Sequence, residues 1–312
     1  MRRLGVELSL RRKTGMLEHT QTPPVDPSRV VVLGAAGFVG GASLDLLRAN
    51  GIPTEAISRG DIDLLSPSAT DLLATRLHPR DSLVVISARA PCKDTVMLRE
   101  NILMMEKVCE ALKNQPVAHV VYVSSDAVYG DEPLPLTEAS PAAPGSIHGV
   151  MHLARELMLQ DCIMAPLALL RPTLIYGATD PHNGYGPNRF RRLAAAGEDI
   201  VLFGEGEERR DHVLVHDVAE LVLRVLRHRS KGILNIATGS VASFHDIARD
   251  IADMFDTPAK VKSSPRVGPM PHNGYRPFDS AGTITAFPDF VYTSLADGLW
   301  QTHNEMLRNR NG

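Results

Sequence analysis

Two kinds of hydrophobic pattern alternate along the chain from residue 29 onward. Short continuous apolar runs rich in β-branched residues are typical of strands buried on both faces of a sheet. Between them lie segments with apolar residues every three or four positions, as in amphipathic helices. The predicted strands are Val30–Leu33, Glu55–Ser58, Ser82–Ser87, His119–Ser124 and Leu167–Leu170. The predicted helices are Ala42–Ala49, Asn101–Leu112 and Met151–Gln160. Strands that alternate with helices predict βαβ units and a parallel sheet.

The pattern becomes less regular after Tyr176. Residues Thr179–Pro187 are rich in Pro, Gly, Asn and His and predict a loop. The remaining predicted elements are strands at Val201–Phe203 and Leu234–Ile236 and helices at Asn188–Ala196, Val218–Arg227 and Phe244–Met254. We therefore predict an α/β fold, with a doubly wound parallel sheet and a smaller C-terminal α/β lobe, some of whose elements return to the main sheet.

Composition narrows the function classes. The 312 residues include 33 Lys and Arg and 36 Asp and Glu, so the formal charge is −3. A protein that neutralises a phosphate backbone carries a basic excess, so we predict that nucleic acid is not a partner. The three cysteines, Cys92, Cys109 and Cys162, form no CxxC pair and indicate a reducing, cytoplasmic location. The charge-free stretch Val30–Ala42 is too short to span a bilayer, so we predict no membrane association.

Residues 1–28 differ from the rest of the chain. Several basic residues near the start are followed by three prolines, Pro23, Pro24 and Pro27. A targeting segment would need an apolar run or a long amphipathic helix, and Leu8–Leu10 is too short to be the apolar run. We predict a disordered tail, or a start codon assigned too early with Met16 as the true start.

A glycine-rich segment follows the first predicted strand and opens the first predicted helix. It reads Gly34-Ala35-Ala36-Gly37-Phe38-Val39-Gly40. Gly34 allows a tight turn, Gly37 lets the backbone approach a pyrophosphate, and Gly40 lets the helix pack closely on the strand. The N-terminus of the helix favours negative charge. The segment predicts a dinucleotide site, and the alternative is a glycine-rich turn with no ligand.

The GxxGxxG spacing and four later segments together resemble the extended short-chain dehydrogenase/reductase family of nucleotide-sugar epimerases, dehydratases and ketoreductases. The later segments are Ser87–Ala90, similar to the family's HxAA; Val123–Gly130, similar to SSxxVYG; Leu170–Gly177, similar to LRxxNVYG; and Arg209–Ala219, similar to RDFVHVDDVA. The resemblance runs from Val30 to about His303. It implies a Rossmann-type NAD(P)-binding domain over 29–180, a lobe over 181–312 that mainly binds substrate, and a homodimer.

The resemblance also implies which residues contact the coenzyme. They are Gly34, Ala36, Gly37, Phe38, Val39, Gly40, Ala88, Arg89, Asn101, Ser124 and His152, together with a group at the end of the second strand.

The end of the second predicted strand indicates which dinucleotide is preferred. An acidic residue there selects NAD through the ribose 2′-hydroxyl, whereas a basic one accommodates the 2′-phosphate of NADP. The usual acidic position is Ser58, and Arg59 follows it. A hydroxyl and a guanidinium suit phosphate oxygens, so we predict NADP, with NAD as the alternative. A solvated Arg59 is the other interpretation. Asp63 resembles the acidic residue on the adenine side, and Asp61 competes with it for that role.

The catalytic segment departs from the family pattern. The family has Tyr-Gly-x-Ser-Lys and a Glu four residues after the Lys, whereas this chain has His148-Gly149-Val150-Met151-His152, with Glu156 at the glutamate position. The register therefore indicates that His148 replaces the catalytic Tyr and His152 the Lys. We predict His148 as the acid/base and His152 as a hydrogen-bond donor to the nicotinamide ribose. The alternatives are a pair of surface residues or a metal site; the sequence offers no third ligand, so we predict no metal.

Two neighbouring residues complete the predicted catalytic group. Ser125 matches the family's catalytic Ser/Thr, which hydrogen-bonds to the reacting oxygen. Asp126 stands where the sugar 4,6-dehydratases have Asp, but Ala127 replaces the Glu that they need to eliminate water. This departure argues against a dehydratase.

The resemblance implies three substrate contacts. Arg210 matches an arginine that clamps the nucleotide diphosphate, Arg276 resembles a second diphosphate contact, and Asn188 resembles an amide contact. The loop Asp180–Phe190 either shapes a sugar pocket or is an ordinary surface loop.

These features predict an NAD(P)H-dependent oxidoreductase or epimerase that acts on a nucleotide-activated sugar. A 4-keto-sugar reductase is preferred to an epimerase, because Ser58 and Arg59 favour NADPH that is released after each turnover. The alternative is a dinucleotide-binding sensor or structural protein that has lost the Tyr–Lys pair, since fold alone does not establish catalysis. Arg210 favours the enzyme, because a sensor needs no diphosphate clamp.

Overall fold

The computed structural model describes residues 15–131 and 135–311. The strands in these ranges are β1 (Val30–Leu33), β2 (Thr54–Ile57), β3 (Ser82–Val85), β4 (His119–Val123), β5 (Leu167–Pro172), β6 (Leu174–Tyr176), β7 (Ile200–Phe203), β8 (Arg209–Leu214), β9 (Gly232–Ile236), β10 (Val241–Ser243), β11 (Val261–Ser264) and β12 (Tyr275–Arg276). The helices are α1 (Phe38–Ala49), α2 (Ala69–Arg76), α3 (Thr95–Asn114), α4 (Ile147–Cys162), α5 (Pro187–Ala196), α6 (Val215–Arg227), α7 (Phe244–Ala252), α8 (Ala281–Ala286) and α9 (Leu295–Asn311).

The main sheet has six parallel strands in the order β2-β1-β3-β4-β5-β9. The chain moves outward in one direction from β1 to β2 and in the other from β1 to β3. The strand order therefore reverses at β1, and such a reversal leaves a crevice outside the carboxyl ends of the strands. Ligands of open parallel α/β sheets bind in this crevice.

Both faces of the main sheet are covered by helices. Val30 and Val32 of β1 pack in one apolar cluster with residues of α1 and α6, while Val31 and Leu33 pack in another with residues of α2, α3 and α4. Successive residues of a strand point to opposite faces, so a strand buried on both sides must be apolar throughout. The layers confirm the predicted α/β fold with a Rossmann-type, doubly wound parallel sheet.

A second, smaller sheet is built around β8. Strands β6 and β12 pair with it in parallel and β10 pairs with it antiparallel. Helices α5 and α7 pack beside it over a third apolar cluster, which includes Phe190, Leu202, Leu214 and Phe244. The chain then returns to the main sheet through β9, and α6 packs on α1.

Residues 15–28 do not form the disordered tail that the sequence predicts for 1–28. Met16 bridges to Ile233 of β9, and the imidazole of His19 hydrogen-bonds to Ser230 Oγ at 2.9 Å and to the Ala286 carbonyl at 2.8 Å. The His19 ring also stacks on His228, with ring centroids 4.0 Å apart. These contacts are made with residues more than 200 positions away, which local composition does not reveal. The rest of the predicted tail, residues 1–14, lies outside the described residues.

Candidate coenzyme and substrate cleft

A cleft of about 800 Å³ lies at the carboxyl ends of the main strands and extends to β8 of the second sheet. Most of the residues that the sequence singles out line it. They are Gly34, Ala36, Gly37, Phe38, Val39, Ser58, Arg59, Asp63, Ala88, Arg89, Ser124, Ser125, Asp126, His148, His152, Asn188 and Arg210. Three predicted contacts, Gly40, Asn101 and Arg276, are absent from this lining and have supporting positions instead.

The turn between β1 and α1 has space only for glycine at two positions. Gly34 has a positive φ of 99°, and a Cβ built on it would lie 2.6 Å from the backbone nitrogen of Ser87. A Cβ on Gly40 would lie 2.1 Å from the carbonyl oxygen of Gly34. Gly40 thus packs the helix against the turn and does not reach the ligand. The first turn of α1 consequently faces the cleft with its unpaired N–H groups.

After the end of β2, two aspartates are held by the residues that the sequence singles out for coenzyme choice, one by hydrogen bonds and one by an ion pair. The backbone N–H and the hydroxyl of Ser58 donate to Asp61 at 2.8 and 2.6 Å, and they lower the pKa of that exposed carboxyl. The guanidinium of Arg59 lies 3.2 Å from Asp63, and the Arg59 side chain is 79% exposed. An exposed ion pair contributes little to stability, so Arg59 can exchange Asp63 for another anion at small cost.

Asn101 lies behind the cleft and positions its wall. The side chain is fully buried on α3. Its amide oxygen accepts a hydrogen bond from Arg89 N–H at 2.9 Å, and its amide nitrogen donates to the Arg89 carbonyl at 3.0 Å. The predicted direct contact with coenzyme is therefore replaced by an indirect role, in which Asn101 holds the segment after β3.

Arg276 is also a supporting residue, contrary to the predicted diphosphate contact. It is only 2% exposed and lies beneath the segment 126–131. Its guanidinium contacts the Asp126 carboxylate at 3.2 Å and donates to the backbone carbonyls of Asp126 and Tyr129 at 2.9 and 3.2 Å. β12 pairs with β8 so that Arg276 stands opposite Arg210, and this pairing draws it inward.

Ser125 and Asp126 form the wall of the cleft beyond β4. The Ser125 hydroxyl is 3.3 Å from Asp126 Oδ1 and accepts a hydrogen bond from Ala127 N–H at 3.1 Å. The other carboxylate oxygen of Asp126 lies 3.9 Å from Arg210. The Ser125 hydroxyl, the Asp126 carboxylate and Arg210, the predicted diphosphate clamp, therefore belong to one connected group.

His148 reaches this group from the first turn of α4. Ser146 caps the helix by accepting a hydrogen bond from Gly149 N–H. A Cβ on Gly149 would lie 1.9 Å from the Ala127 carbonyl, so only glycine lets α4 approach the segment that carries Ser125. Nδ1 of His148 accepts a hydrogen bond from Cys92 N–H at 3.3 Å. Burial lowers the pKa of His148, while the charge of Asp126 raises it.

His152 is more deeply buried, one helical turn further along α4. Its Nδ1 lies 2.8 Å from the hydroxyl of Tyr122 on β4. Burial holds the pKa of His152 well below its ordinary value, and the nearby His148 and Arg155 lower it further. Within residues 15–131 and 135–311, no group of three or more His, Cys, Asp or Glu is placed to hold a metal ion.

The substrate end of the cleft includes residues that sequence reasoning missed. His212 lines it beside Arg210, because alternate residues of β8 point to the same face. The loop Asp180–Phe190 forms part of the wall and is more than an exposed loop: the His182 imidazole hydrogen-bonds across to the Ala90 carbonyl at 3.1 Å. The amide of Asn188 donates to Asp180 at 2.6 Å and accepts from Gly177 N–H at 3.2 Å.

The residues present fit a dinucleotide. The glycine turn and the start of α1 form a cradle that a side chain at Gly34 would close. Ser87 and Ser124, at the carboxyl ends of β3 and β4, line the cleft with buried hydroxyls that have no hydrogen-bond partner among residues 15–131 and 135–311. Buried polar groups in folded proteins are nearly always paired, so these hydroxyls indicate a polar ligand.

Comparisons with known proteins agree with this geometry. The model of the NAD dependent epimerase/dehydratase family matches residues 30–237. A UDP-glucose 4-epimerase of Mycolicibacterium smegmatis is 28% identical over an alignment of 279 residues, and the match covers 78% of this chain and 88% of the relative. The structure of MoeE5 in complex with UDP-glucose and NAD is 25% identical with a TM-score of 0.77, and the match covers 91% of this chain and all of that one.

A more distant structure shares the fold. A GDP-L-fucose synthetase from Naegleria fowleri, bound to NADP, is 17% identical with a TM-score of 0.78, and the match covers 94% of this chain and 98% of that one. In the part of the chain that the structure describes, the helices are too short or too polar to cross a membrane.

Proposed function

The chain belongs to the NAD dependent epimerase/dehydratase family, and from this premise we propose that it is an NAD(P)-dependent enzyme acting on a nucleotide-activated sugar. The finer assignment is a 4-keto-sugar reductase, with an epimerase as the second candidate. One observation carries the proposal: a single cleft is lined by a dinucleotide cradle, by the group Ser125, Asp126 and His148, and by Arg210.

Different residues of the cleft would bind the coenzyme and the substrate. The first turn of α1 and the glycines before it would hold the pyrophosphate, and the hydroxyls of Ser87 and Ser124 would meet polar groups of the coenzyme. Arg210 would hold the diphosphate of the substrate, because a guanidinium binds phosphate oxygens in bidentate fashion. When bound, the nicotinamide supplies the hydride donor or acceptor. We further propose that residues 29–180 bind the coenzyme and that 181–312 mainly bind substrate.

His148 and Ser125 would handle the proton and the reacting oxygen. In the reducing direction a carbonyl oxygen gains a proton, which the imidazolium form of His148 can donate while the Ser125 hydroxyl hydrogen-bonds to that oxygen. The contact from Cys92 N–H and the burial of the ring both favour neutral His148. Activity would therefore follow the small imidazolium fraction, and reduction would exceed oxidation, because imidazole is a weaker base than tyrosinate.

NADP is the proposed coenzyme and NAD the alternative. The proposal rests on Arg59, which would exchange its exposed contact with Asp63 for a 2′-phosphate. The nearby carboxylates of Asp61 and Asp63 would repel a 2′-phosphate. Comparing the affinities for NADP and NAD therefore tests the proposed choice. Arg59→Ala should weaken NADP binding about tenfold and leave NAD binding unchanged.

Two finer properties complete the proposal. By resemblance to its family, we propose a homodimer in which α3 and α4 pack against their copies. The exposed Val96, Val150 and Leu157 on these helices support this interface. A cytoplasmic location is proposed from the free cysteines Cys92, Cys109 and Cys162.

Thermal-shift measurements with each dinucleotide, alone and with UDP-, GDP- and dTDP-sugars, test the proposed function. An enzyme should be stabilised by one dinucleotide and further by one class of nucleotide sugar. Arg210→Met should abolish only the second shift. Stabilisation by the dinucleotide alone, with no response to any nucleotide sugar, would favour the non-catalytic binding protein.

A further inference from the structure

Tyr122 and His152 form a buried hydrogen-bonded pair behind the cleft. Tyr122 lies in the middle of the main sheet on β4 and is 0% exposed. Its hydroxyl is 2.8 Å from Nδ1 of His152. His152 lines the cleft, so with Nδ1 occupied, Nε2 is the ring nitrogen left for a ligand.

Arg155 places a buried positive charge beside this pair. It is 0% exposed, and among the described residues no carboxylate forms an ion pair with it. Its Nη2 donates to the Ser87 carbonyl at 2.6 Å, and its guanidinium carbon lies 5.3 Å from the centroid of the Tyr122 ring. Arg155 thus connects α4 to the end of β3 and faces the ring that contacts His152.

A protonated His152 would be unfavourable in this position. It would add a second buried cation close to Arg155, and like charges in a medium of low polarity repel strongly. The carboxylate that follows Arg155 on α4, Glu156, is already paired through a bidentate contact with Arg171. His148 faces His152 from the preceding turn and contributes no negative charge.

The neutral ring has two tautomers, and the Tyr122 contact selects one of them. Burial raises the pKa of Tyr122 to about 12, so the phenol keeps its proton. If Tyr122 accepted a hydrogen bond from Nδ1–H, its own buried proton would have no acceptor, which costs free energy. If Tyr122 donates to Nδ1, both groups are satisfied and the ring proton is on Nε2.

We infer that Tyr122 is a positioning residue that holds His152 as its Nε2–H tautomer, and that the charge of Arg155 adds to burial in keeping that ring neutral. His152 then presents a fixed, neutral N–H donor to the cleft. That this donor serves a coenzyme hydroxyl rests on the proposed function. The cation that the family resemblance implies at position 152 is, in this chain, placed at Arg155 and held away from the ligand.

Nuclear magnetic resonance of the full chain with ¹⁵N-labelled histidine rings tests the inference without reference to turnover. Two-bond ¹H–¹⁵N correlations distinguish the two tautomers and the imidazolium, and the signal of His152 is assigned by its loss in His152→Asn. The expected result is an Nε2–H pattern that does not titrate across the neutral range. An Nδ1–H ring or an imidazolium in the unmodified chain would overturn the inference.

Two substitutions separate the parts played by the neighbours. Tyr122→Phe should convert His152 to a mixture of tautomers and weaken dinucleotide binding by about threefold to tenfold. The matched control is Tyr176→Phe, because Tyr176 is also buried but its hydroxyl has no hydrogen-bond partner in the part of the chain that the structure describes; this variant should change neither quantity. An unchanged His152 pattern in folded Tyr122→Phe would refute the role of Tyr122.

Arg155→Met should raise the pKa of His152, because it removes the nearby positive charge while burial remains, and Arg155→Lys, which keeps the charge, should leave the pKa lower than Arg155→Met does. A His152 that titrates identically in both folded variants would refute the role of Arg155. If Arg155→Met does not fold, Arg155→Lys against Arg155→Gln gives the same comparison. A chain that binds no dinucleotide but shows the expected tautomer would contradict the proposed function and leave this inference intact.

Discussion

The imidazole rings of His148 and His152 meet edge to face, with centroids 4.7 Å apart. Residues four apart on a helix share a face, so both rings stand at the same wall of the cleft. Protonation of one ring disfavours protonation of the other, because the two positive charges would repel each other, and both rings are at least partly buried. Their environments nevertheless differ: Asp126 favours the charged form of His148, while Arg155 disfavours that of His152. This asymmetry matches the proposed roles, in which His148 donates a proton and His152 is a neutral hydrogen-bond donor.

The rate of reduction should fall as pH rises through the pKa of His148. Burial holds this pKa below the ordinary value of about 6.5, so the inflection should lie on the acidic side of that value. The measurement is the pH profile of kcat for reduction with saturating coenzyme. In the double variant His148→Tyr, His152→Lys, oxidation should increase and this inflection should disappear. An inflection retained in His148→Phe would assign it to another group.

Folding stability should decrease in mild acid, partly through His119. Burial lowers the pKa of His119 to about 4, and its Nε2 hydrogen-bonds to the Ser230 carbonyl at 2.7 Å. As the pH falls, His119 is protonated in the unfolded chain before it is protonated in the folded chain, because its pKa is higher in the unfolded chain. The contribution of neutral His119 to the free energy of unfolding is therefore fully present above about pH 6.5 and is lost as the pH falls toward the folded pKa. The expected loss from His119 at pH 5 is about 2 kcal/mol.

Urea unfolding at pH 7 and pH 5 measures this effect in the unmodified chain and in His119→Gln. Other titrating groups cancel in the comparison, so the variant should lose about 2 kcal/mol less than the unmodified chain between the two pH values. Equal losses would show that His119 has the same pKa in the folded and the unfolded chain and would contradict this account.

Alanine at position 40 should damage the coenzyme cradle, and alanine at position 41 should not. A Cβ at Gly40 would lie 2.1 Å from a backbone oxygen, whereas one at Gly41 would lie 3.8 Å from its nearest neighbour. Gly40→Ala should cost about 1–3 kcal/mol and weaken dinucleotide binding. Gly41→Ala should be neutral or stabilise the helix by up to about 1 kcal/mol. Chemical unfolding and calorimetric titration check both, and equal behaviour of the variants would contradict the steric argument.

Arg276→Met should mainly reduce folding stability, whereas Arg210→Met should mainly weaken substrate binding. Arg276 is fully buried and contacts Asp126 at 3.2 Å, so its loss leaves that carboxylate with only the longer 3.9 Å contact to Arg210 and should cost about 3 kcal/mol. Arg210 lines the cleft, so its loss should mainly raise the KM for the nucleotide sugar. Melting curves and initial rates distinguish the two. An unchanged melting temperature in Arg276→Met would contradict the supporting role of Arg276.

Local pattern predicts the parts of the site that depend on neighbouring residues in the chain. The glycine turn before α1 and the register of His148 and His152 on α4 are of this kind, since each is set by spacing within one turn and helix. Ser125 likewise follows directly from the end of β4.

The supporting residues depend on contacts between distant segments, and the sequence does not reveal those contacts. Arg276 turns inward because β12 pairs with β8. Asn101 hydrogen-bonds to the loop after β3 and does not line the cleft. Tyr122 follows the pattern of a core strand and Arg155 that of a helix surface, so only the packing of α4 on the sheet identifies them as partners of His152. In the sequence, the only indication of this arrangement is the position of Arg155, a charged residue three positions after His152 and therefore on the same side of the helix.

Isotope transfer tests most directly the central claim that this protein transfers a hydride from the nicotinamide to a nucleotide sugar with His148 as the proton donor. The protein is incubated with dinucleotide deuterated at C4 of the reduced nicotinamide and with 4-keto forms of the UDP-, GDP- and dTDP-sugars, and the sugar is analysed by mass spectrometry. We predict deuterium in one class of nucleotide sugar, with the rate reduced about 10²–10⁴-fold in His148→Phe while coenzyme affinity stays within a few-fold. Tight binding of coenzyme and nucleotide sugar without any transfer of label, or full transfer in His148→Phe, would contradict it.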